Sequence, residues 1–297
     1  MTRPALTSLD RVLWPAAGFT KGDMLAYYEA IAPVLLPHLA GRPLTLGRFP
    51  AGVDRPGFAT TECRGRPDWV RTVQVPLRSG EVREQCVVDD LPSLLWVVNL
   101  GSIELHAFPS MAERLEEPAF VVFDLDPGSG TGLTECCRIA LWLRDALADD
   151  GLRGFCKTSG GLGLHVYVPL APGHSFDDSK AYARTLAARL AGERHDAVTE
   201  RRETASRAGR VLIDWIPNSP RSLTVAPYSL RAADIPSVST PVGWDEVGAT
   251  ASGHSDDGLR FGPEDVLERA RVKGDLFRSV LDVPQTLPVR GRGRRLA

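Results

Sequence analysis

Apolar positions recur along this chain with two different periods, and each change of period marks an element. Residues 20–39 carry Leu25, Tyr28, Ile31 and Leu35 at helical spacing. Thr20 is placed to cap that helix, Asp23 falls in its first turn, and Pro33 predicts a break or kink. Residues 42–57 are rich in turn formers and hold a short strand. Residues 67–75 and 81–88 read as strands of a small sheet, and the apolar run 91–105 as a buried helix followed by a strand. The second half is plainer. AFVVFDLD (119–126) is an apolar strand, and 134–147 is a helix. Residues 154–159 and 164–170 are strands joined by the glycines of SGGLG. A helix at 176–190, a third strand RVLIDWI (210–216) and a fourth at 224–229 follow. From residue 241 the chain is turn-rich and helical, and 290–297 (RGRGRRLA) reads as a disordered tail. The order strand, helix, strand, strand, helix, strand predicts an α+β fold with a mixed sheet flanked by helices.

Composition narrows this little. The 297 residues suffice for a core that needs no metal or disulfide to fold. An apolar fraction of 43% and a charged fraction of 24% exclude disorder, collagen or a coiled coil as whole-chain descriptions. The net charge of −2 gives no global sign of a polyanionic partner. Arginine greatly outnumbers lysine, which occurs only at Lys21, Lys157, Lys180 and Lys273. Arginine forks suit phosphate and carboxylate, but a high-GC genome produces the same bias. Five cysteines (Cys63, Cys86, Cys136, Cys137, Cys156) make an odd count without C-x-x-C or zinc-ligand spacing. They predict a reduced, cytoplasmic protein. The N-terminus lacks the apolar core of a signal peptide, and no apolar run approaches the roughly 20 residues of a membrane span.

The most informative run is VVFDLDPGSG. Asp124 and Asp126 lie two apart at the end of an apolar strand, so both side chains project to the same side. Two like charges held together are costly unless a cation lies between them, and hard oxygen ligands suit Mg²⁺ or Mn²⁺. A turn-capping or surface role fits the pair equally well when it is taken alone. Asp214, inside RVLIDWI, is a third carboxylate in apolar surroundings. It is either buried against arginine or backbone donors, or it completes an acidic set of the kind used in two-metal phosphoryl transfer.

KTSGGLGLHVYVPL joins two strands through Ser159, Gly160, Gly161, Leu162 and Gly163. Glycines allow close approach of a ligand and leave backbone N–H groups for phosphate oxygens, and His165 opens the next strand with a further donor. A simple hairpin explains the glycines as well, and no G-K-[ST] makes this a Walker loop. His106 in SIELHAF and Arg231 in TVAPYSLRA are polar residues beside apolar runs. Each is also readable as a satisfied core residue or a solvated strand end.

In order and spacing, FDLDPG, KTSGGLGLHVYVPL, RVLIDWIPN and TVAPYSLRA closely resemble the polymerase domain of bacterial ligase D, within the archaeo-eukaryotic primase superfamily. SLDRVLWPAAGFTKGDMLAYYEAIAPVLLPHLAGRPLTL and VSTPVGWDEV extend the resemblance to about residues 5–285. It implies a mixed-sheet, RNA-recognition-like catalytic core with an N-terminal α/β region packed against it. On this chain that is one primase-polymerase unit, 1–290, with an N-terminal region to about 115, a core to about 245, a helical region to about 285 and a basic tail at 290–297. The implied activity is template-dependent addition of NTPs or dNTPs to primer 3′ ends in gap filling and non-homologous end joining, often with ribonucleotides preferred.

The family's ligands for two divalent ions, Mg²⁺ or Mn²⁺, fall on Asp124, Asp126 and Asp214. Its triphosphate contacts fall on Ser159, His165 and Arg231, with Gly161 and Gly163 in the same loop and His106 near the sugar. Arg11 and Lys21 match a pocket for the 5′-phosphate of the downstream strand. Arg48, Phe58 and Arg207 match further contacts to DNA or nucleotide. The implied partners are gapped or broken DNA, a nucleotide, a separate DNA ligase and end-binding repair proteins, with no membrane.

The chain departs from the family pattern in places. Leu162 stands where relatives carry Lys or Arg, Gly47 where a Lys precedes Arg48, and Phe58 alone remains of an aromatic pair followed by Lys. Pro217 replaces a Gln, and Ser206 a basic residue before Arg207. These positions bear on end bridging, nucleotide preference and processivity. No K-x-D-G ligase run is present, which predicts a free-standing unit that recruits a ligase in trans. Two other readings use the same residues: a catalytically weak DNA-end or gap-binding module of this fold, and a metal-dependent phosphohydrolase.

Overall fold

The computed structural model describes residues 4–76, 79–253 and 258–288. Its centre is a six-stranded mixed sheet in the order Val198–Thr199, Val211–Asp214, Phe120–Pro127, Leu164–Pro169, Phe155–Thr158, Pro241–Val242. The first pair is parallel and the others are antiparallel. Side chains alternate along the central strand Phe120–Pro127, and this alternation sorts chemistry from core. Val121, Phe123 and Leu125 point into a cluster with Leu164, Val166, Val168, Ile213 and the apolar sides of the helices Leu133–Asp149 and Phe176–Glu193. Phe120 and Val122 point the other way, onto Tyr167, Phe277 and Val280. Asp124 and Asp126 continue this second series, on the face the two helices leave open.

An N-terminal layer packs beside this sheet. The helix Lys21–Leu39 starts in a capping box, in which Thr20 Oγ1 accepts from Asp23 N at 3.1 Å and Asp23 Oδ2 accepts from Thr20 N at 2.8 Å. The predicted break at Pro33 does not occur, and the helix runs on through Pro33 and Pro37. Its buried series Met24, Leu25, Tyr28, Ile31, Leu35 and Leu39 supplies tertiary packing that outweighs the lost helical hydrogen bonds. The helix Leu91–Asn99 packs beside it. A four-stranded sheet in the order Thr224–Val225, Ser102–Ala107, Leu44–Arg48, Phe58–Thr60 completes the layer.

Tyrosines tie the helix Lys21–Leu39 to the four-stranded sheet and to the segment 228–231. Tyr28 Oη donates to Ile103 O at 2.6 Å and accepts from Leu230 N at 3.0 Å, and Tyr27 Oη donates to Tyr228 O at 2.8 Å. The strand expected over 224–229 is shorter, only Thr224–Val225. Pro227 offers no N–H to a ladder, and Tyr228 takes a left-handed φ of 66° that turns the chain into a second short strand, Leu230–Arg231.

The reading of five reduced thiols is corrected at one pair. Cys63 and Cys86 form a disulfide, while Cys136, Cys137 and Cys156 are free and buried. The hairpin of Thr72–Pro76 and Val82–Cys86 brings together two cysteines 23 residues apart, which parity and spacing could not pair. The tail 290–297 lies outside the described residues. No helix among the described residues is long and apolar enough to cross a membrane.

Asn218 acts as a missing rung of the central sheet. Beyond the pairing with Val211–Asp214, its Oδ1 accepts from Val122 N at 2.8 Å and its Nδ2 donates to Val122 O at 2.7 Å. Asn218→Ala orphans both buried backbone groups, and denaturant unfolding should show a loss of about 2–4 kcal/mol.

Glu246 joins the helices Trp244–Ala251 and Pro263–Lys273 through Arg269, at 2.6 and 2.9 Å, and Lys273, at 3.1 Å. Burial opposes ionisation here. Arg269, the Gly243 N–H and Lys273 outweigh it and hold the carboxyl down to about 2. A folded value below the unfolded one stabilises at higher pH. That contribution should fade as pH falls from the ordinary glutamate range through about 2, and Glu246→Gln should flatten this part of the stability profile.

Candidate active site

Antiparallel pairing aligns four polar side chains across four strands. Asp124 stands opposite Asp214 on one side and opposite His165 on the other, and His165 stands opposite Lys157. Cross-strand partners share a face, so Lys157, His165, Asp124 and Asp214 form one row, with Asp126 the next same-face position along the central strand. The sequence-predicted acids are therefore neighbours, although Asp214 lies some 90 residues downstream.

The row is electrically uneven. Burial, then Asp124, with Asp214 adding, pushes the Asp126 carboxyl up to about 6 against the pull of Arg207 and Arg202. Burial would also raise Asp124, but His165, Lys157 and Arg231 outweigh it and hold that carboxyl below its ordinary value. His165 Nε2 lies 3.2 Å from Asp124 Oδ1, and this buried oxygen makes no well-aligned hydrogen bond. Asp214 accepts from Ile216 N at 2.9 Å through Oδ1, and its Oδ2 lies 3.3 Å from Arg202 Nε.

Among the described residues no three side chains close into a ready-made ion cage. The donor set nonetheless fits a hard divalent cation. Two carboxylates are register partners, a third beside them resists ionisation, and a buried carboxylate oxygen makes no well-aligned hydrogen bond.

Behind His165 lies Lys157, which is 0% exposed. Its Nζ donates to Ser239 Oγ at 2.6 Å and meets His165 Nδ1 at 3.0 Å. Burial, with Arg231 adding, pulls its pKa down to about 7. Burial and Lys157 also lower the His165 pKa. The neutral ring then accepts from Lys157 at Nδ1 and carries its proton on Nε2, towards Asp124.

The glycine loop is built around Ser159. Its Oγ accepts from Gly161 N and Gly163 N, both at 3.2 Å, and its N–H donates to Gly163 O at 2.9 Å. The expectation that the glycine N–H groups stand free is corrected at these two positions, since they are engaged by the serine. The glycines are required for space. A Cβ on Gly163 would collide with the Leu125 carbonyl oxygen, and one on Gly160, at φ 76°, with the Arg231 side chain. Leu162 forms the tip and is 57% exposed.

Arg231 ties this loop to the four-stranded sheet through Glu104. Glu104 Oε1 lies 3.1 Å from Arg231 Nε and accepts from Ala232 N at 3.0 Å, while Oε2 meets His106 Nε2 at 2.8 Å. Burial opposes ionisation of Glu104. His106, Arg231 and the Ala232 N–H outweigh it and keep the carboxyl below its usual range. Gly47, opposite Glu104 in register, makes room, because a Cβ there would lie 2.9 Å from Glu104 Cβ. Glu104 and His106 border an open cavity of about 390 Å³ with Thr45, Gly47, Phe58 and Leu223.

Phe58, 50% exposed at the cavity edge, is the cross-strand partner of Arg48, whose guanidinium lies 5.3 Å from the ring centroid. Both donors of the Arg48 fork go to Leu100 O, at 3.0 and 2.8 Å. Arg207 ends a short helix, Thr204–Arg207, and its Nη2 donates to Pro127 O at 3.4 Å, beside the acidic row.

Arg11 and Lys21 meet elsewhere, at the hairpin of Val12–Trp14 and Phe19–Thr20. Lys21 N donates to Arg11 O at 2.8 Å. Arg11 Nη1 donates to Pro50 O at 2.6 Å, and the largely buried Lys21 Nζ to Thr7 O at 2.7 Å. Burial, then Arg11, lowers the Lys21 pKa.

Three residues of the site escaped sequence reasoning. Lys157 and Glu104 each left a signal: a charged residue at a same-face position of an apolar strand, opposite or two before a histidine. Arg202 sits in a polar loop and left none.

A family model described as LigD, primase-polymerase domain, matches residues 20–277. The multifunctional non-homologous end joining protein LigD of Mycolicibacterium smegmatis is 38% identical over 278 residues, covering 93% of this chain and 36% of that protein. The bifunctional non-homologous end joining protein LigD of Bacillus subtilis is 26% identical over 283 residues, covering 94% of this chain and 45% of that protein. The chain thus spans less than half the length of these relatives. The polymerase domain from Mycobacterium tuberculosis ligase D, solved in complex with DNA, matches with a TM-score of 0.88 and 34% identity over 96% of this chain and 100% of that one. The acidic row, the serine–glycine loop and Glu104 all lie inside the matched segment, and the chain belongs to the LigD primase-polymerase domain family.

Proposed function

We propose that this protein is a template-dependent nucleotidyltransferase that extends primer 3′ ends with NTPs or dNTPs on gapped or broken DNA, in end-joining repair. The observation that carries this reading is the register row, with Asp124 paired to Asp214, backed by His165 and followed by Asp126. Asp124, Asp126 and Asp214 would hold two divalent ions, Mg²⁺ or Mn²⁺. Such ions supply positive charge for the primer hydroxyl and for the pyrophosphate leaving group.

The chain's own residues do the remaining work. Ser159 fixes the curl of the loop, with Gly161 and Gly163 keeping it close to the central strand. His165 presents an Nε2–H at the acidic row, and Arg231 brings a guanidinium from the opposite wall to the triphosphate. The cavity beside His106 and Phe58 receives the base and sugar. Arg207 and Arg202 offset the negative charge of the acids, and Arg48 supports Phe58.

Arg11 and Lys21 flank the first turn of the helix Lys21–Leu39, whose N-terminal dipole favours an anion. That site suits a 5′-phosphate and predicts binding that is independent of sequence and sensitive to salt. The reading carries with it a cytoplasmic location, a primase-polymerase unit over 1–290, and work together with DNA ligase activity and end-binding proteins.

Incorporation of each NTP and dNTP on a 5′-phosphorylated short-gap duplex with Mn²⁺ tests the reading. The wild-type chain should extend the primer, and Asp124→Ala with Asp126→Ala should lower the rate by at least about 10³-fold, as loss of metal charge does. Tight gap binding without incorporation would support an end-binding module instead, and inorganic phosphate released without primer growth a phosphohydrolase. Because Asp126 keeps its proton up to about pH 6, that proton competes with the cation. Mn²⁺ affinity measured by calorimetry should rise as pH increases through about 6 and level off above it.

A further inference from the structure

We infer that Arg42 and Thr224 form a binding site for one small halide anion, chloride in the first place, buried where the two sheets and the first long helix meet. The inference does not depend on the nucleotide reading above.

Arg42 lies just past the helix Lys21–Leu39 and is 6% exposed. A guanidinium carries N–H donors and no acceptor. Its Nη1 donates to Phe108 O at 3.1 Å, and the group lies 5.0 Å from the centroid of the Phe120 ring. Its Nε and Nη2 make no hydrogen bond among the described residues. Burial pulls the Arg42 pKa down to about 10, opposed by Tyr167 and by no acid, so the group stays charged at neutral pH. A buried charge without an opposite charge beside it is costly. The chain supplies no counter-charge here among the described residues. Asp275, beyond His38, is taken by His38 Nε2 at 2.9 Å and Tyr228 Oη at 2.7 Å.

The guanidinium lines a narrow cavity of about 20 Å³, shared with Tyr167, Thr224 and the carbon walls of Phe120, Phe277 and Leu281. Thr224 Oγ1 accepts from Tyr167 Oη at 2.8 Å, which leaves its own hydroxyl proton to donate. Size and polarity select the occupant. The space suits one water-sized body, so phosphate, carboxylates and nucleotides are too large. A water fits but leaves the charge of Arg42 uncompensated. A halide accepts from the guanidinium and the hydroxyl and rests its remaining surface on the apolar wall. Its ligands come from separate elements: Arg42 from the loop after the helix, Thr224 from the four-stranded sheet, with Phe120 and Tyr167 of the six-stranded sheet beside them. The site exists only when these elements are assembled, so the ion stabilises the folded chain.

Thermal unfolding of the full chain at fixed ionic strength tests it, with sodium glutamate replaced stepwise by sodium chloride or sodium bromide. Glutamate is too large for the cavity. The wild-type Tm should climb by about 3 °C as either halide passes to about tenfold above its Kd, and then level off. Arg42→Met replaces the buried charge with an apolar side chain, an exchange that folded proteins often tolerate. Its Tm should show no saturating response to halide. Equal responses of the two proteins are a general salt effect and overturn the inference.

Crystals of the wild-type chain grown in bromide give a reading that needs no variant. An anomalous peak between Arg42 and Thr224 supports the inference. Bromide found at the surface alone, or density beside Arg42 without anomalous signal, refutes it. A peak at Arg42 in a protein whose Tm shows no saturating rise is binding at crystal concentration only, and refutes it too.

Discussion

Two aspartates held directly across from each other in an antiparallel ladder repel one another, and the ladder cannot relax to separate them. The backbone hydrogen bonds of the central strand fix Asp124 against Asp214, and the core packed beneath Phe123, Leu125 and Ile213 fixes the strand. The charge problem must then be solved from above the sheet or from the flanks. His165, Lys157 and Arg231 solve it for Asp124, the Ile216 N–H and Arg202 for Asp214, and a retained proton for Asp126 up to about pH 6. Among the described residues no three side chains on this face close into a ready-made cage, so a cation placed there would have to draw the acids together.

The same constraint explains why the rest of the site comes from a different layer. The six-stranded sheet supplies acids and His165 but little surface for a base or sugar. The open cavity beside the acids is walled by the four-stranded sheet, through His106, Glu104 and Phe58, and Arg231 lies between the two sheets. Arg231 is anchored at its Nε by Glu104 on the four-stranded sheet and lies over Gly160 of the loop that joins two strands of the other. Glycines stand at the close approaches: Gly47 under Glu104, Gly160 under Arg231 and Gly163 against the central strand.

Much of this was legible in the sequence, and for physical reasons. Strands buried on one face announce themselves by runs such as AFVVFDLD, and carboxylates inside such runs stand out because burial penalises them. The acids and the glycine loop were therefore readable, as was the helix capped by Thr20. Features that depend on what lies opposite were not. The persistence of the helix past Pro33 depends on its packing, the end of the strand at Val225 on a single left-handed residue, and the Cys63–Cys86 bond on a hairpin that aligns the pair. Glu104 and Lys157 belong to this group too, since a charge on a strand reveals its purpose only when its cross-strand and cross-layer partners are known. The freedom of the loop N–H groups was misjudged because the sequence cannot say which way the Ser159 hydroxyl turns.

The tyrosine hydroxyls on the first long helix have a practical bearing on how the molecule can be dissected. Tyr27 and Tyr28 grip the backbone at Tyr228 and Leu230, immediately before the arginine that bridges the two sheets. A fragment trimmed to begin after residue 115 would retain Asp124, Asp126 and Asp214 yet lose the clamp that delivers this arginine, along with Glu104 and His106. The half that bears the three aspartates is thus structurally incomplete by itself: its far wall is held in place by the opening forty residues of the chain.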